Sequence, residues 1–421
     1  MSGLPPSASP RRLDADWLKD GAVATLLGLL DRDGEEARVV GGAVRNALID
    51  RPVGEFDIAT TALPQEVIRR VKAQGFKASP TGIEHGTVTV VIDHRGYEVT
   101  TLREDVETDG RHAKVVFGRD WQRDAERRDF TMNALSVGRD GLLHDYVGGL
   151  VDLALRRVRF IGEAAARIAE DYLRILRFFR FHAAYGEGAP DPAGLAACIA
   201  ARAHLEGLSR ERVRMEMLKL VAAPHAVRTL TVMAEAGLFE WVLGGVPQLA
   251  SFSNMAKLEA ALDLPPDPVR RLGALAVLIT ADADRLRDRL RLANAEHARL
   301  AAMADGWWRI ATANAEQDGR ALLYRLERER FTDRVLLAWS HSPSGVADHA
   351  WRELAHLPER WAPPTFPLKA ADLLARGVPK GPQLGAALRA AEEAWIALDF
   401  PMEPASIAAI ADTATRHAQA G

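Results

Sequence analysis

Val39-Val40-Gly41-Gly42-Ala43-Val44-Arg45-Asn46, followed by Gly54-Glu55-Phe56-Asp57-Ile58-Ala59-Thr60-Thr61, is the stretch that decides the fold of this chain. Two apolar residues end a strand, two glycines turn the backbone, and a short helix opens with Arg45 in its first turn. Gly41 and Gly42 let the main chain approach a ligand closely, and amides at a helix start attract phosphate. A second strand then carries Glu55 and Asp57, whose side chains share one side because residues two apart lie on the same strand face. Two carboxylates, together with water and substrate phosphates, are how a protein holds Mg²⁺. Glu55 and Asp57 are thus the expected metal ligands, and Gly42 and Arg45 the phosphate cradle. The combination points to a nucleoside triphosphate with a divalent metal.

Composition bounds the rest. With 421 residues, 48% hydrophobic and 26% charged, the chain has material for roughly two to four units. No apolar run approaches the ~20 residues a spanning helix needs, and the Ser/Pro-rich residues 1–10 lack the apolar centre of a signal peptide. Cys198 is the single cysteine, which excludes a disulfide framework and thiolate zinc sites. A cytoplasmic protein without a membrane association is expected, and no protein partner is indicated. The net charge of -3 does not decide for or against RNA, because arginines cluster at residues 123–128 and 156–180.

Residues 1–12 read as a disordered lead and residues 16–30 as one amphipathic helix. Beyond Asp57, Thr61-Ala62-Leu63-Pro64-Gln65-Glu66 is a helix start, with Thr61 or a neighbour capping and Pro64 near the first turn. Residues 86–92 and 97–102 read as strands joined at Asp93-His94-Arg95-Gly96, a hairpin. Strand, helix, strand, helix and hairpin make a small mixed sheet. Glu98, on the second hairpin strand, is either a third catalytic carboxylate or a surface glutamate. Residues 103–118 are polar and glycine-punctuated, which predicts a mobile loop with His112 near phosphate.

Asp124-Ala125-Glu126-Arg127-Arg128-Asp129-Phe130-Thr131-Met132-Asn133-Ala134-Leu135 follows. The guanidinium forks of Arg127 and Arg128 suit triphosphate oxygens. Asp129 and Asn133, four apart on one helical face, can hold a ribose. A strand pair around Gly141 closes this part of the chain. The second decisive run is Glu170-Asp171-Tyr172-Leu173-Arg174-Ile175-Leu176-Arg177-Phe178-Phe179-Arg180-Phe181. Asp171, Arg174, Arg177 and Arg180 recur every three residues, a slow spiral in which each step falls roughly 60° short of a turn. Phe178 and Phe181 intrude on the arginine side, so the helix is expected to be wrapped by protein, with its charges lining a cleft. Cytosine and adenine share an amine donor beside a ring-nitrogen acceptor, and guanine and uracil show the reverse. An Asp acceptor beside an Arg donor therefore selects CTP and ATP without a template.

These stretches resemble one family. Gly-Gly-x-Val-Arg with acid-x-acid, then Arg-Arg-Asp-Phe-Thr-x-Asn-Ala, then Glu-Asp-x-x-Arg-x-x-Arg is similar to the class II nucleotidyltransferases of the DNA polymerase β superfamily. That group holds tRNA CCA-adding enzymes and bacterial poly(A) polymerases. The resemblance covers roughly residues 36–240. It implies an α+β fold: an N-terminal lead and helix (1–26), a small mixed-sheet head (27–155), and an all-α neck that recognises the base (156–240). A helical body and tail that hold tRNA (241–421) complete it. The implied activity is addition of CCA to the tRNA 3′ end from CTP and ATP, with Mg²⁺ and release of pyrophosphate. Family position supports Glu98 as catalytic and places Gly41, Gly42, Arg45, Arg127, Arg128, Asp129 and Asn133 at the nucleotide. It assigns Asp171 and Arg174 to the base and Arg177 and Arg180 to the nucleotide, and makes residues 103–118 a loop that closes on it. Ser209-Arg210-Glu211-Arg212-Val213-Arg214-Met215-Glu216, with Ser209 as N-cap, would support the base-reading helix.

Two departures stand out. Glu55 replaces the family's usual Asp and is one methylene longer, and Asn46 replaces a frequent Asp. Three other functions remain open: a poly(A) polymerase with the same head, a partial CC- or A-adding enzyme, and a silent RNA-binding protein. The last would need the carboxylate pair to be broken. The lack of a long basic C-terminal extension favours tRNA, because enzymes acting on assorted RNAs lean on nonspecific phosphate attraction. From about residue 235 the pattern is helical, with one amphipathic helix over residues 285–302 and a helix-turn-helix over 367–398. Phe252, Trp307, Trp308, Trp339 and Trp361 read as core residues.

Overall fold

The computed structural model describes residues 11–82, 86–109, 112–312 and 315–420. The chain packs as two compact units, Met1–Trp241 and Val242–Gly421. The first begins with α1 (Asp16–Lys19) and α2 (Gly21–Leu30). The single helix expected here is split at Asp20, whose backbone is extended and whose carboxylate accepts the Gly21 N–H at 2.7 Å. An aspartate in that conformation starts a helix rather than continuing one. Then come β1 (Ala37–Val40), α3 (Gly42–Leu48), β2 (Asp57–Thr60), α4 (Pro64–Ala73), β3 (Lys77–Gly82), β4 (Thr87–Ile92) and β5 (Arg95–Thr101). Leu63 occupies the N-cap position of α4 and makes no side-chain cap bond. The expected cap, Thr61, instead accepts the Glu36 N–H at 2.9 Å and donates to the Glu35 carboxylate at 2.5 Å.

The β4–β5 hairpin closes on two residues, Asp93 and His94, both with positive φ (49° and 63°). That tight turn matches the strand twist and starts β5 at Arg95, two residues before the expected position. Residues 103–118 are not a loop: β6 (Arg103–Asp109) pairs with β7 (His112–Phe117). Val106, Thr108, Val115 and Val116 supply strand propensity that the charges and glycines of this segment mask. The His112 side chain lies outside the described residues.

After β7 follow α5 (Trp121–Glu126), β8 (Ser136–Gly138), β9 (Leu143–His144) and α6 (Gly149–Ala154). The main sheet runs β3-β4-β5-β2-β1-β8-β9, antiparallel except where β2 lies parallel to β5. On β4, Val88, Val90 and Ile92 are buried while their neighbours are half-exposed, the period-2 pattern of a strand with one face on the core. Helices α2 and α4 pack on each other and on the sheet. Leu26, Leu27 and Leu30 are fully buried, each contributing about 1.5–3 kcal/mol of hydrophobic stabilisation. Gly149 is obligatory at its site, because a Cβ there would stand 2.3 Å from the Thr131 carbonyl oxygen.

The same unit continues as helices α7 (Ala164–Glu170), α8 (Leu173–Tyr185), α9 (Pro192–Ala201), α10 (Arg210–Val221) and α11 (Ala226–Glu235). Helix α8 packs on α7, α10 and α11, and buries Ile175, Leu176, Phe178, Phe179 and Phe181. Rings join it to the segment after α5: Phe130 lies 4.9 Å from Phe160 and 5.0 Å from Phe181, and Phe160 stacks on Phe178 at 5.4 Å. This wrapping is what the two phenylalanines on the arginine side demanded.

Every regular element of the second unit among its described residues is a helix. A buried ion network ties its first half together: Asp333 takes Arg270 and Arg299 at 2.8 Å each, and Glu259 takes Arg271 at 2.6 Å. Residues 285–302 do not form one helix. Thr280–Leu290 and Asn294–Ala304 are separate, broken at Arg291 with φ 47°. Phe252 and Trp339 are core residues, and Trp307 and Trp361 are half-buried, but Trp308 is 55% exposed and leaves that group. Ala370–Leu374 and Pro382–Ala397 flank the expected turn at residues 377–381. No helix among the described residues is long and apolar enough to cross a membrane.

Candidate functional site

The turn between β1 and α3 is the floor of the site. Gly41 has φ 70° and ψ −122°, a conformation that favours glycine, and a Cβ there would press on Arg128 Nη1 at 3.3 Å. Beside it opens a cavity of about 630 Å³. Gly41, Gly42 and Arg45 line it from α3 and its turn, Glu55 and Asp57 from β2 and the residues before it. Arg127, Arg128, Asp129 and Asn133 enter after α5, and Asp171, Arg174 and Arg177 from α8 and the residues before it. Three stretches far apart in sequence thus converge on one space.

Glu55 precedes the strand, which starts at Asp57, so the two carboxylates are neighbours without both being strand residues. Asp57 keeps an open side to solvent, yet burial by the surrounding fold raises its carboxyl above the ordinary value, with Glu55 adding to the rise and Arg128 opposing it. Glu98 is the register partner of Asp57 across the parallel β2–β5 pair. It lines a second cavity, about 300 Å³, which shares Glu55 and Asp57 and adds Arg95 and Tyr97. Among the described residues no three His, Cys, Asp or Glu side chains converge as a ligand set.

Asp129 and Asn133 do not lie on one α-helix. The helix α5 ends at Glu126, Phe130 bridges to Phe160, and Thr131–Asn133 form a 3₁₀ turn. They meet all the same: Asn133 Nδ2 donates to Asp129 Oδ1 at 2.9 Å. Arg177 Nη2 reaches Asp129 Oδ2 at 2.5 Å, and Arg45 Nη1 donates to Asn133 Oδ1 at 2.5 Å. Arg127 and Arg128 share the buried Asp124, at 2.6 and 3.2 Å.

The helix expected across residues 170–181 is broken at Asp171, whose φ of −158° and ψ of 105° are extended. Asp171 therefore stands ahead of α8, where its carboxylate accepts the Leu173 N–H at 3.1 Å and Arg212 Nη2 at 2.6 Å. Arg174 pairs with Glu170 at 2.5 Å rather than with Asp171. Arg180 is not a lining residue. It bonds Glu216 at 2.5 Å and lies 4.3 Å over the Phe181 ring. Leu173, Phe181 and Arg212 line the cavity without having been singled out for it. Arg212 was visible only as part of the Ser209–Glu216 run, and nothing in local spacing says that it reaches Asp171.

Comparison with known proteins decides the family. Residues 37–159 match the family described as Poly A polymerase head domain, and residues 189–252 the one described as Probable RNA and SrmB- binding site of polymerase A. A protein of Danio rerio named CCA tRNA nucleotidyltransferase 1, mitochondrial, is 35% identical over 388 residues, covering 89% of this chain and 86% of that one. The chain belongs to the CCA tRNA nucleotidyltransferase family. The CCA-adding enzyme of Leuconostoc citreum (strain KM20) is 41% identical over 223 residues, 52% of this chain and 54% of its own. A crystal structure of the Bacillus stearothermophilus CCA-adding enzyme in complex with CTP superposes with a TM-score of 0.75 at 28% identity, covering 97% of this chain and 100% of that one.

In this member of the CCA-adding family, charge is unevenly balanced. Arg45 is buried, which lowers its pKa from the ordinary arginine value. Its partners are the Asn46 and Asn133 amides and the Tyr185 phenol, none of them a carboxylate. A desolvated guanidinium with neutral partners attracts an anion. Asn46 gives Arg45 a neutral amide partner, and the nearest carboxylate in the chain of contacts, Asp129, is reached through Asn133.

Proposed function

We propose that this chain adds CCA to the 3′ end of tRNA from CTP and ATP, without a template, in the 630 Å³ cavity. The observation that carries the reading is the convergence there of the Glu55 and Asp57 carboxylates, the buried Arg45 guanidinium, and Asp171 and Arg174 as separate lining residues. In this reading Arg45 and Arg128 take triphosphate oxygens beside the Gly41–Gly42 turn. Asn133 and Asp129 face the ribose. Asp171 accepts from the exocyclic amine of cytosine or adenine, and Arg174 donates to the ring nitrogen. Arg177 holds Asp129, and Arg180 acts through Glu216 and Phe181 on the rear of α8. The RNA 3′-hydroxyl gives its proton to solvent as its oxygen bonds to the α-phosphorus, the bond from that phosphorus to the α–β bridging oxygen breaks, and pyrophosphate leaves.

The donor set fits Mg²⁺. Glu55 and Asp57 offer hard oxygens on the cavity wall, and two carboxylates with substrate phosphates and water suit an ion that retains much of its hydration. When bound, Mg²⁺ supplies neutralisation of phosphate charge and acidification of the attacking hydroxyl. Glu98, in register with Asp57, is a third carboxylate within the reading. A cytoplasmic setting belongs to it too, and accords with a single cysteine in the sequence.

The test is incubation with Mg²⁺ and tRNA ending at the discriminator base, with CTP alone, ATP alone, and both. Two C additions followed by one A and a stop is the expected product. A C-only product makes it a partial enzyme, and a long A tail from ATP alone makes it a poly(A) polymerase.

A further inference from the structure

Tyr185, the last residue of α8, closes a ring of contacts around the site. Its hydroxyl accepts Arg45 Nη2 at 2.7 Å, and the Arg45 guanidinium lies 4.0 Å over its ring. Arg45 in turn holds Asn133, Asn133 holds Asp129, and Asp129 holds Arg177. Arg177, Phe181 and Tyr185 stand at i, i+4 and i+8, one stripe of α8. Phe181 lies 5.4 Å from Arg177 and 5.3 Å from Arg45 and completes the circuit. Arg45 bonds otherwise to the Asn46 and Asn133 amides, and among the described residues Tyr185 is its one hydrogen-bond partner on α8.

We propose that Tyr185 is a positioning residue for nucleotide binding: through its hydrogen bond to Arg45 it locks the phosphate-binding turn of the head to the helix that follows the base-reading aspartate. The inference rests on the nucleotidyltransferase reading of the cavity. A guanidinium held by neutral groups keeps its charge for an incoming anion, and a phenol at 2.7 Å fixes where that charge stands. A carboxylate in its place would cancel the attraction. Tyr185 thus gives alignment without neutralisation. The rigid stripe on α8 makes the alignment common to every nucleotide, so it governs phosphate affinity and leaves base choice to Asp171 and Arg174.

Tyr185→Phe keeps the ring and removes the hydrogen bond. The expected result is a KM for CTP and for ATP raised about tenfold, as for loss of a hydrogen bond to a charged group. The KM for tRNA and discrimination against UTP stay as in the parent. Inorganic tripolyphosphate, which has no base, should lose binding by the same factor in calorimetry. Tyr185→Leu should lose at least as much, and in an Arg45→Lys background Tyr185→Phe should add nothing. Unchanged tripolyphosphate affinity overturns the proposal. So does a parallel loss of tRNA and nucleotide binding with a lowered midpoint, which is the signature of a merely structural tyrosine. The calorimetric arm needs no turnover, so absence of CCA addition by the parent protein would sink the functional reading and still leave the tyrosine tested.

Discussion

Asp129 and Arg177 meet at 2.5 Å across 48 residues of sequence, joining the segment after α5 to α8. Burial alone would raise the Asp129 carboxyl; the Arg177 charge and the hydrogen bonds from Asn133, Arg177 and the Phe130 amide outweigh it, and the group titrates below the usual range. Removing the carboxylate leaves the half-buried guanidinium with only the more distant Glu216, at 3.7 Å. Asp129→Ala should cost about 1.5–3 kcal/mol of folding stability, the worth of hydrogen bonds to a charged group, and weaken nucleotide binding, measured by urea denaturation and by CTP titration. A loss below about 0.5 kcal/mol, the size of an exposed pair, would show that the pair does not hold the two parts together.

The strand-turn-helix around Gly41–Gly42 was legible because glycine, apolar and carboxylate positions carry their geometry locally. The arginine-rich run around Arg174 was legible as chemistry but not as shape. Asp171 breaks the helix because its carboxylate is claimed by the Leu173 amide and by Arg212, 41 residues on. Periodicity cannot see a partner that far away. The hairpin at residues 103–117 failed for the opposite reason: its strand formers alternate with charges that resemble a loop. Arg45 was read as a phosphate ligand, and its real setting, a cation among two amides and a phenol, arises only from the packing of α3 on α8 and the 3₁₀ turn.

Asp57→Asn should reduce nucleotide incorporation by at least roughly a thousandfold, because an amide cannot replace the charge that a metal ligand brings. Binding of tRNA, followed by filter retention, should stay within about twofold. Activity retained within tenfold would remove Asp57 from the metal site.

Asp171→Ala should erode discrimination of CTP and ATP against UTP and GTP by about ten- to a hundredfold, the worth of one well-made base contact. Arg212→Ala should reproduce part of that loss, because the arginine fixes one carboxylate oxygen at 2.6 Å. Competition between labelled nucleotides on the same tRNA reads both variants. Unchanged preference in Asp171→Ala would end the base-reading assignment, and unchanged preference in Arg212→Ala alone would make Arg212 a bystander.

In the second unit Asp333 is fully buried between Arg270 and Arg299. Asp333→Ala leaves two guanidiniums without their shared anion and should cost about 3–5 kcal/mol. Differential scanning calorimetry should show a lowered midpoint. A shift under about 1 °C would mean that the remaining acids, Glu259 and Asp267, suffice.

His182 makes stability depend on pH. It is 2% exposed in α8, and its pKa is lowered to about 4, by burial first and then by Arg228 and the nearby His225, against an opposing hydrogen bond to the Gly188 backbone. The unfolded chain binds its proton near pH 6.5. Between about 6.5 and 4, therefore, the unfolded state takes up a proton that the native state refuses, and stability falls as the pH falls. The loss from this one group amounts to about 3 kcal/mol and levels off below about pH 4. Chemical denaturation at pH 7, 6, 5 and 4 should show that slope in the parent protein and a shallower one in His182→Gln, which cannot titrate. Equal slopes in the two proteins would mean that His182 is protonated within the fold, and that Arg228 does not repel it.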